Sequence, residues 1–188
     1  MLINWQEIET LIIDYYKEVN LVITSKELDY LKSAFELTEK LWEEQFERIK
    51  EIKYIMISEA PLFGKEQKYF YNPNCKFSSF FYFTNIEAFE IQYLKQDYND
   101  KKFVLNILNE KGFLILDLFP FALNKIDTQI NYNSISHKEY QRLFQINLNS
   151  YLIKKLNLVK TKCNENTIIF YRYKRLKNKL GRVLETEL

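Results

Sequence analysis

Lys53-Tyr54-Ile55-Met56-Ile57-Ser58-Glu59-Ala60-Pro61 is the stretch on which the fold turns. Tyr54 to Ile57 is a short run of strand formers without polar alternation, the pattern of a parallel strand buried on both faces. It stops in Ser58-Glu59-Ala60-Pro61, where Pro61 fixes its own φ and restricts Ala60, so the turn is stiff. A second run, Phe113-Leu114-Ile115-Leu116-Asp117-Leu118-Phe119-Pro120, reads the same way. Pro120 has no N–H for a ladder, so that strand ends near it. Thr167-Ile168-Ile169-Phe170-Tyr171 is the third strand candidate.

Helical patterns lie between and before these runs. Asn4 and Glu7 suggest a capping box ahead of Trp5, Ile8, Leu11, Ile12, Tyr15 and Val19. Thr24 and Glu27 repeat it ahead of a longer helix in which Leu28, Leu31, Phe35, Trp42, Phe46, Ile49 and Ile52 recur at helical spacing. Phe77 to Phe83 reads as a strand or an ordered loop, and Thr84 or Asn85 starts a helix through Phe89, Tyr93 and Leu94. Lys101 to Glu110 is helical, and Gly112 suits the left-handed position that ends a helix. Ser136 and Glu139 form another capping box, before a helix through Tyr140, Leu143, Phe144, Leu148 and Leu152. Helices alternating with short apolar strands predict an α/β fold: a three-layer α/β/α sandwich around a central, mostly parallel sheet. No repeat or linker divides residues 1–188, so one domain is expected, with N-terminal helices over 1–52 and the sheet core and a basic end over 53–188.

Composition narrows the class. Hydrophobic residues make up 47% and aromatics 16%, which excludes a disordered chain. Cys75 and Cys163 form no ligand motif, and with one histidine, His137, neither a metal site nor a cofactor fingerprint is expected. The absence of a signal-like N-terminus and of a membrane-length apolar run predicts a cytoplasmic protein with no membrane partner. The net charge of +2 hides an asymmetry: Lys154 to Arg182 holds ten Lys/Arg and one acid, Glu165. Arg172, Lys174, Arg175, Lys177 and Lys179 are candidate phosphate contacts, the alternative being a solvated C-terminal face.

Parallel sheets place ligands at the carboxyl ends of their strands. Glu59 and Asp117 both fall there, which makes them the candidate catalytic pair. Asp117, enclosed by Leu114-Ile115-Leu116 and Leu118-Phe119-Pro120-Phe121, must be paired, hydrogen-bonded or protonated. Two acids in one cleft separate in pKa, which suits acid–base work. Tyr69-Phe70-Tyr71 offers rings on which a base can stack. Ala60, Pro61, Phe63 and Phe119 complete the expected pocket.

At these residues the chain resembles the uracil-DNA glycosylase superfamily. Ser58-Glu59-Ala60-Pro61-Leu62 is similar to that family's Gly-Glu-Ala-Pro-Gly stretch, with Ser58 and Leu62 in place of the glycines. Phe63 or Phe70 corresponds to the ring that stacks on the flipped base, and Asp117 to an Asn that bonds the uracil edge. The resemblance covers roughly Tyr54 to Phe121, and no His-Pro-Ser-type loop follows Thr167. It implies a uracil-DNA glycosylase-like fold, DNA as partner, and hydrolysis of the N-glycosidic bond of a damaged or deaminated base in DNA repair, without metal or cofactor. Glu59 would orient the attacking water and Asp117 would accept from the base. The alternatives are a non-catalytic nucleic-acid or nucleotide-binding protein, or an accessory interaction protein, on the same fold.

Overall fold

The computed structural model describes residues 3–75 and 100–178. The readings of Phe77–Phe83, of the helix from Thr84 or Asn85, and of Lys179 lie outside the described residues.

Two helices come first. Helix α1, Trp5–Glu18, buries Trp5, Ile8, Ile12, Tyr15 and Tyr16. Its cap is Asn4, whose side chain accepts from Gln6 N rather than closing a box with Glu7. Helix α2, Ser25–Arg48, is capped by Thr24, which accepts from Glu27 N. Glu27 does not return the bond as a capping box requires. Its carboxylate is buried, and takes the Tyr16 hydroxyl and both the backbone and side-chain N–H groups of Gln129. The other end of α2 is closed by Lys162, whose Nζ donates to Phe46 O at 2.6 Å and Ile49 O at 2.8 Å and lies over the Phe46 ring. A cation on the last carbonyls of a helix offsets both their orphan status and the dipole.

The sheet follows as the apolar runs predict. Strand β1 is Ile52–Ser58, β2 is Phe113–Asp117 and β3 is Cys163–Tyr171, all parallel, in the order β2-β1-β3. The register pairs Tyr54 with Phe113 and Ser58 with Asp117, and on the other side Tyr54 with Ile168 and Ile57 with Tyr171. Helix α3, Lys101–Glu110, leads into β2. Gly112 turns the chain between them at φ 72°, where a Cβ would come 2.4 Å from Glu51 O. Helix α4, His137–Asn147, carries the complete Ser136/Glu139 capping box, then passes through one π-helical turn, Leu148–Leu152, into α5, Ile153–Lys160.

Strand β2 lies at one edge of the described sheet, yet all five of its residues are buried. Its outward backbone groups are met by side chains: Ile115 N donates to the Tyr71 hydroxyl at 2.7 Å, and Ile115 O accepts from Trp42 Nε1 at 2.8 Å. Strand β3 is mostly exposed along its length. The chain leaves β1 towards β2 and later returns past β1 to β3. All three parallel strands bring their carboxyl ends to one edge of the sheet, where such sheets place ligands. Among the described residues, no helix is long and apolar enough to cross a membrane.

Candidate functional site

Two loops leave the carboxyl ends of β1 and β2, and one tyrosine holds them together. The Tyr30 hydroxyl on α2 accepts from Gly64 N at 3.2 Å and from Asn124 Nδ2 at 2.7 Å, and donates to Ala122 O at 3.1 Å. The Asn124 side-chain Oδ1 accepts from Ile126 N and Asp127 N, which fixes the second loop as an Asx turn. Between the loops lies a cleft of about 410 Å³, where apolar Leu62, Phe63 and Leu123 are mixed with charged Lys65, Lys68 and Asp127. Phe63 meets Tyr30 edge-on at 5.8 Å. Leu62 is 49% exposed and Ile126 86%, so each loop carries one exposed apolar residue at the rim.

Behind the Pro61–Leu62 wall is a crevice of about 10 Å³, room for about one water. Ser58, Ala60, Tyr69, Phe70, Ile115, Asp117 and Arg172 close around it. The Tyr69 hydroxyl donates to Asp117 Oδ2 at 3.3 Å, and Ser58 also hydrogen-bonds that carboxylate. Burial pushes Asp117 up to about 6, against the pull of Lys155, Ser58, Arg172 and Tyr69. Burial likewise raises the Tyr69 hydroxyl, helped by the Asp117 charge, so Tyr69 is a donor at neutral pH. Lys101 of α3 pins this segment by donating to Tyr69 O at 3.1 Å and to Cys75 Sγ at 3.0 Å.

Glu59 ends the strand beside Asp117 but has a different set of partners. Tyr140 of α4 donates its hydroxyl to Oε1 at 3.1 Å, and Arg175 Nη2 donates to Oε2 at 2.6 Å. The Glu59 carbonyl accepts from Phe119 N at 3.0 Å, so the end of β1 remains bound to the β2 side. Asp117 lines the crevice, while Glu59, between the crevice residues Ser58 and Ala60, is held by Tyr140 and Arg175. Arg175 also donates to Asn133 Oδ1 at 3.1 Å, and the guanidiniums of Arg172 and Arg175 lie 5.2 and 5.3 Å from the Tyr173 ring.

The structure thus draws Ala60, Pro61, Tyr69, Phe70, Asp117 and Arg172, from separate parts of the chain, to one crevice, with Phe63 in the adjoining cleft. It leaves others elsewhere. Tyr69, Phe70 and Tyr71 are all buried, so they form no exposed stacking platform, and the Tyr71 hydroxyl serves the β2 edge. Phe119 is core, packed against Tyr132, Tyr140 and Phe144. Lys174 and Lys177 are exposed. Among the described residues, no group of three or more His, Cys, Asp or Glu is placed to hold a metal ion.

Several site residues escaped the reading of the sequence. Tyr30, Tyr140 and Asn133 join the site across long separations and carry no local signal. Lys155 does carry one. It falls on the stripe of Leu152, Leu156 and Val159, where an apolar residue belongs, and its Nζ meets Glu39 Oε1 at 2.7 Å with both side chains buried. Comparisons with family models, with curated proteins and with solved structures found nothing that matches this chain.

Proposed function

We propose that this chain is a uracil-DNA glycosylase-like protein of three-layer α/β/α build that takes a damaged or deaminated DNA base at the carboxyl edge of its sheet and hydrolyses its N-glycosidic bond. The observation that carries this reading is convergence: the Ser58–Pro61 turn, the Tyr69–Phe70 segment and Asp117 border one crevice at the edge where parallel sheets bind ligands. The adjoining cleft of about 410 Å³ falls within the range of small-ligand sites, whereas the crevice does not. The base is therefore taken in the cleft, which shares Pro61 and Leu62 with the crevice at Asp117.

The carboxyl group at Asp117 suits a pyrimidine edge better than its residue type suggests. An ionised Asp only accepts, whereas uracil presents donors and acceptors. Held up at about 6, Asp117 exists partly as the protonated acid, which pairs one O–H donor with one carbonyl acceptor, as an Asn amide does. A second reading, binding without hydrolysis, is favoured by the ion pair of Glu59 with Arg175, because a carboxylate so engaged is not poised to orient water.

Release of base from uracil-containing oligonucleotides, measured beside binding of the same strands, separates the two. The expected result is uracil-dependent binding that strengthens as pH falls through about 6 in the wild type and is independent of pH in Asp117→Asn. Base release supports hydrolysis, and binding without release supports the second reading. Failure of both proteins to tell uracil from thymine at pH 5.5 and pH 7.5 overturns base recognition.

A further inference from the structure

Arg175 sits where it can serve two anions. Its guanidinium holds Glu59 at 2.6 Å, yet its side chain is 44% exposed while that of Glu59 is 11% exposed. The cation reaches solvent and the anion scarcely does. Arg172 lies near Arg175, because both guanidiniums approach the ring of Tyr173. It is fixed at the end of β3 by its own N–H, which donates to Ile57 O at 2.9 Å, and it lines the Asp117 crevice. The two arginines therefore stand beside the place where a base would be read.

We propose that Arg172 and Arg175 form a seat for one backbone phosphate of a nucleic-acid strand, and that Glu59 is the internal anion which occupies Arg175 until that phosphate displaces it. The inference rests on the nucleic-acid reading above and adds a coupling to it. Guanidinium pairs bidentately with phosphate, and that gain has to exceed the cost of leaving Glu59, 11% exposed, without Arg175. When Arg175 turns to phosphate, Glu59 keeps the Tyr140 hydroxyl at 3.1 Å and is released from its ion pair. No covalent step is involved, because one hydrogen-bonded ion pair replaces another.

A double-mutant cycle tests this, read by fluorescence anisotropy of a labelled oligothymidylate, which presents phosphates but no deaminated base. Glu59→Gln is expected to tighten binding about three- to tenfold by removing the competitor. Arg175→Gln should weaken binding by a similar factor and reduce the log–log salt slope by about 0.7. In the Arg175→Gln background, Glu59→Gln should have no effect. An equal effect of Glu59→Gln in both backgrounds would mean simple removal of a nearby charge, and would overturn the exchange. No effect in the wild-type background would overturn it too. If the Gln variant unfolds on thermal scanning, Glu59→Met completes the same cycle. An Arg175-dependent effect without uracil discrimination at Asp117 keeps the exchange and removes base recognition. Uracil discrimination without that effect does the reverse, and no oligonucleotide binding by any variant overturns both.

Discussion

Asp117 is buried on every side, and its carboxyl is pushed from an ordinary 3.8 to about 6. Desolvation outweighs two hydrogen bonds and two cations there. The folded state therefore favours the protonated acid. The stability this group contributes is full below about pH 4 and is lost as pH rises through about 6, on the order of 3 kcal/mol in all. Glu18 and Glu139 run the other way. Arg142 holds Glu18 below the usual range and Ser136 does so for Glu139, so their contribution is lost as pH falls. The difference between the wild type and Asp117→Asn isolates the one group. Urea unfolding from pH 4 to pH 8 should show the wild type losing stability relative to Asp117→Asn across pH 4–7. Parallel profiles would mean that Asp117 is not desolvated. The sequence showed that Asp117 must be neutralised or bonded, because apolar residues enclose it. It did not show by what, since Ser58 arrives from the adjacent strand and Tyr69 from a loop.

Elements were legible where one local force decides them. The strands β1 and β2 are apolar runs, and Gly112 marks the turn before β2. The start of β3 was not legible, because Cys163-Asn164-Glu165-Asn166 is mostly polar and exposed and joins the sheet only through pairing with β1. The Thr24/Glu27 box failed for a related reason: Tyr16 and Gln129 compete for Glu27 from a distance. The join between α2 and α5 shows such competition at its most costly. Lys155 and Glu39 form a buried ion pair, completed by the Tyr151 hydroxyl on Glu39 at 3.2 Å and by the Trp42 ring 4.1 Å from Nζ. Removing one charge strands the other, so Lys155→Met should cost about 3–5 kcal/mol. Replacing both, as Glu39→Met with Lys155→Met, should cost far less, because neither charge remains to be desolvated. Denaturant midpoints at neutral pH measure both. Equal losses would show that the helices are joined by packing and not by the pair.

Over the whole molecule, the basic end is less available than its charge count suggests. Lys154 pairs with Glu7 at 2.5 Å, Lys155 with Glu39, and Arg175 with Glu59, while Lys162 closes α2. Residue counting could not foresee this, because each acid partner lies in the first third of the sequence and only the fold brings it near. Exposed Lys174 and Lys177 follow Arg172, which lines the crevice, in the chain. If this face tracks a nucleic-acid backbone, the lysines that remain exposed should govern the salt dependence and the internally paired ones should not. Each neutralised phosphate contributes about −0.9 to the log–log salt slope on duplex DNA. Lys174→Gln with Lys177→Gln should therefore flatten the slope by about 1.8 and weaken binding alike on any sequence. Lys154→Gln removes one positive charge from the same end of the sequence, but one already matched by Glu7, and should leave the slope unchanged. Titrations of a labelled duplex across a range of salt concentrations measure all three proteins. An equal change per lysine in the two variants would mean that only the sum of charge matters. An unchanged slope in both would make the C-terminal residues a solvated face, and the strand would then have to reach the crevice by the cleft rim at Leu62 and Ile126 alone.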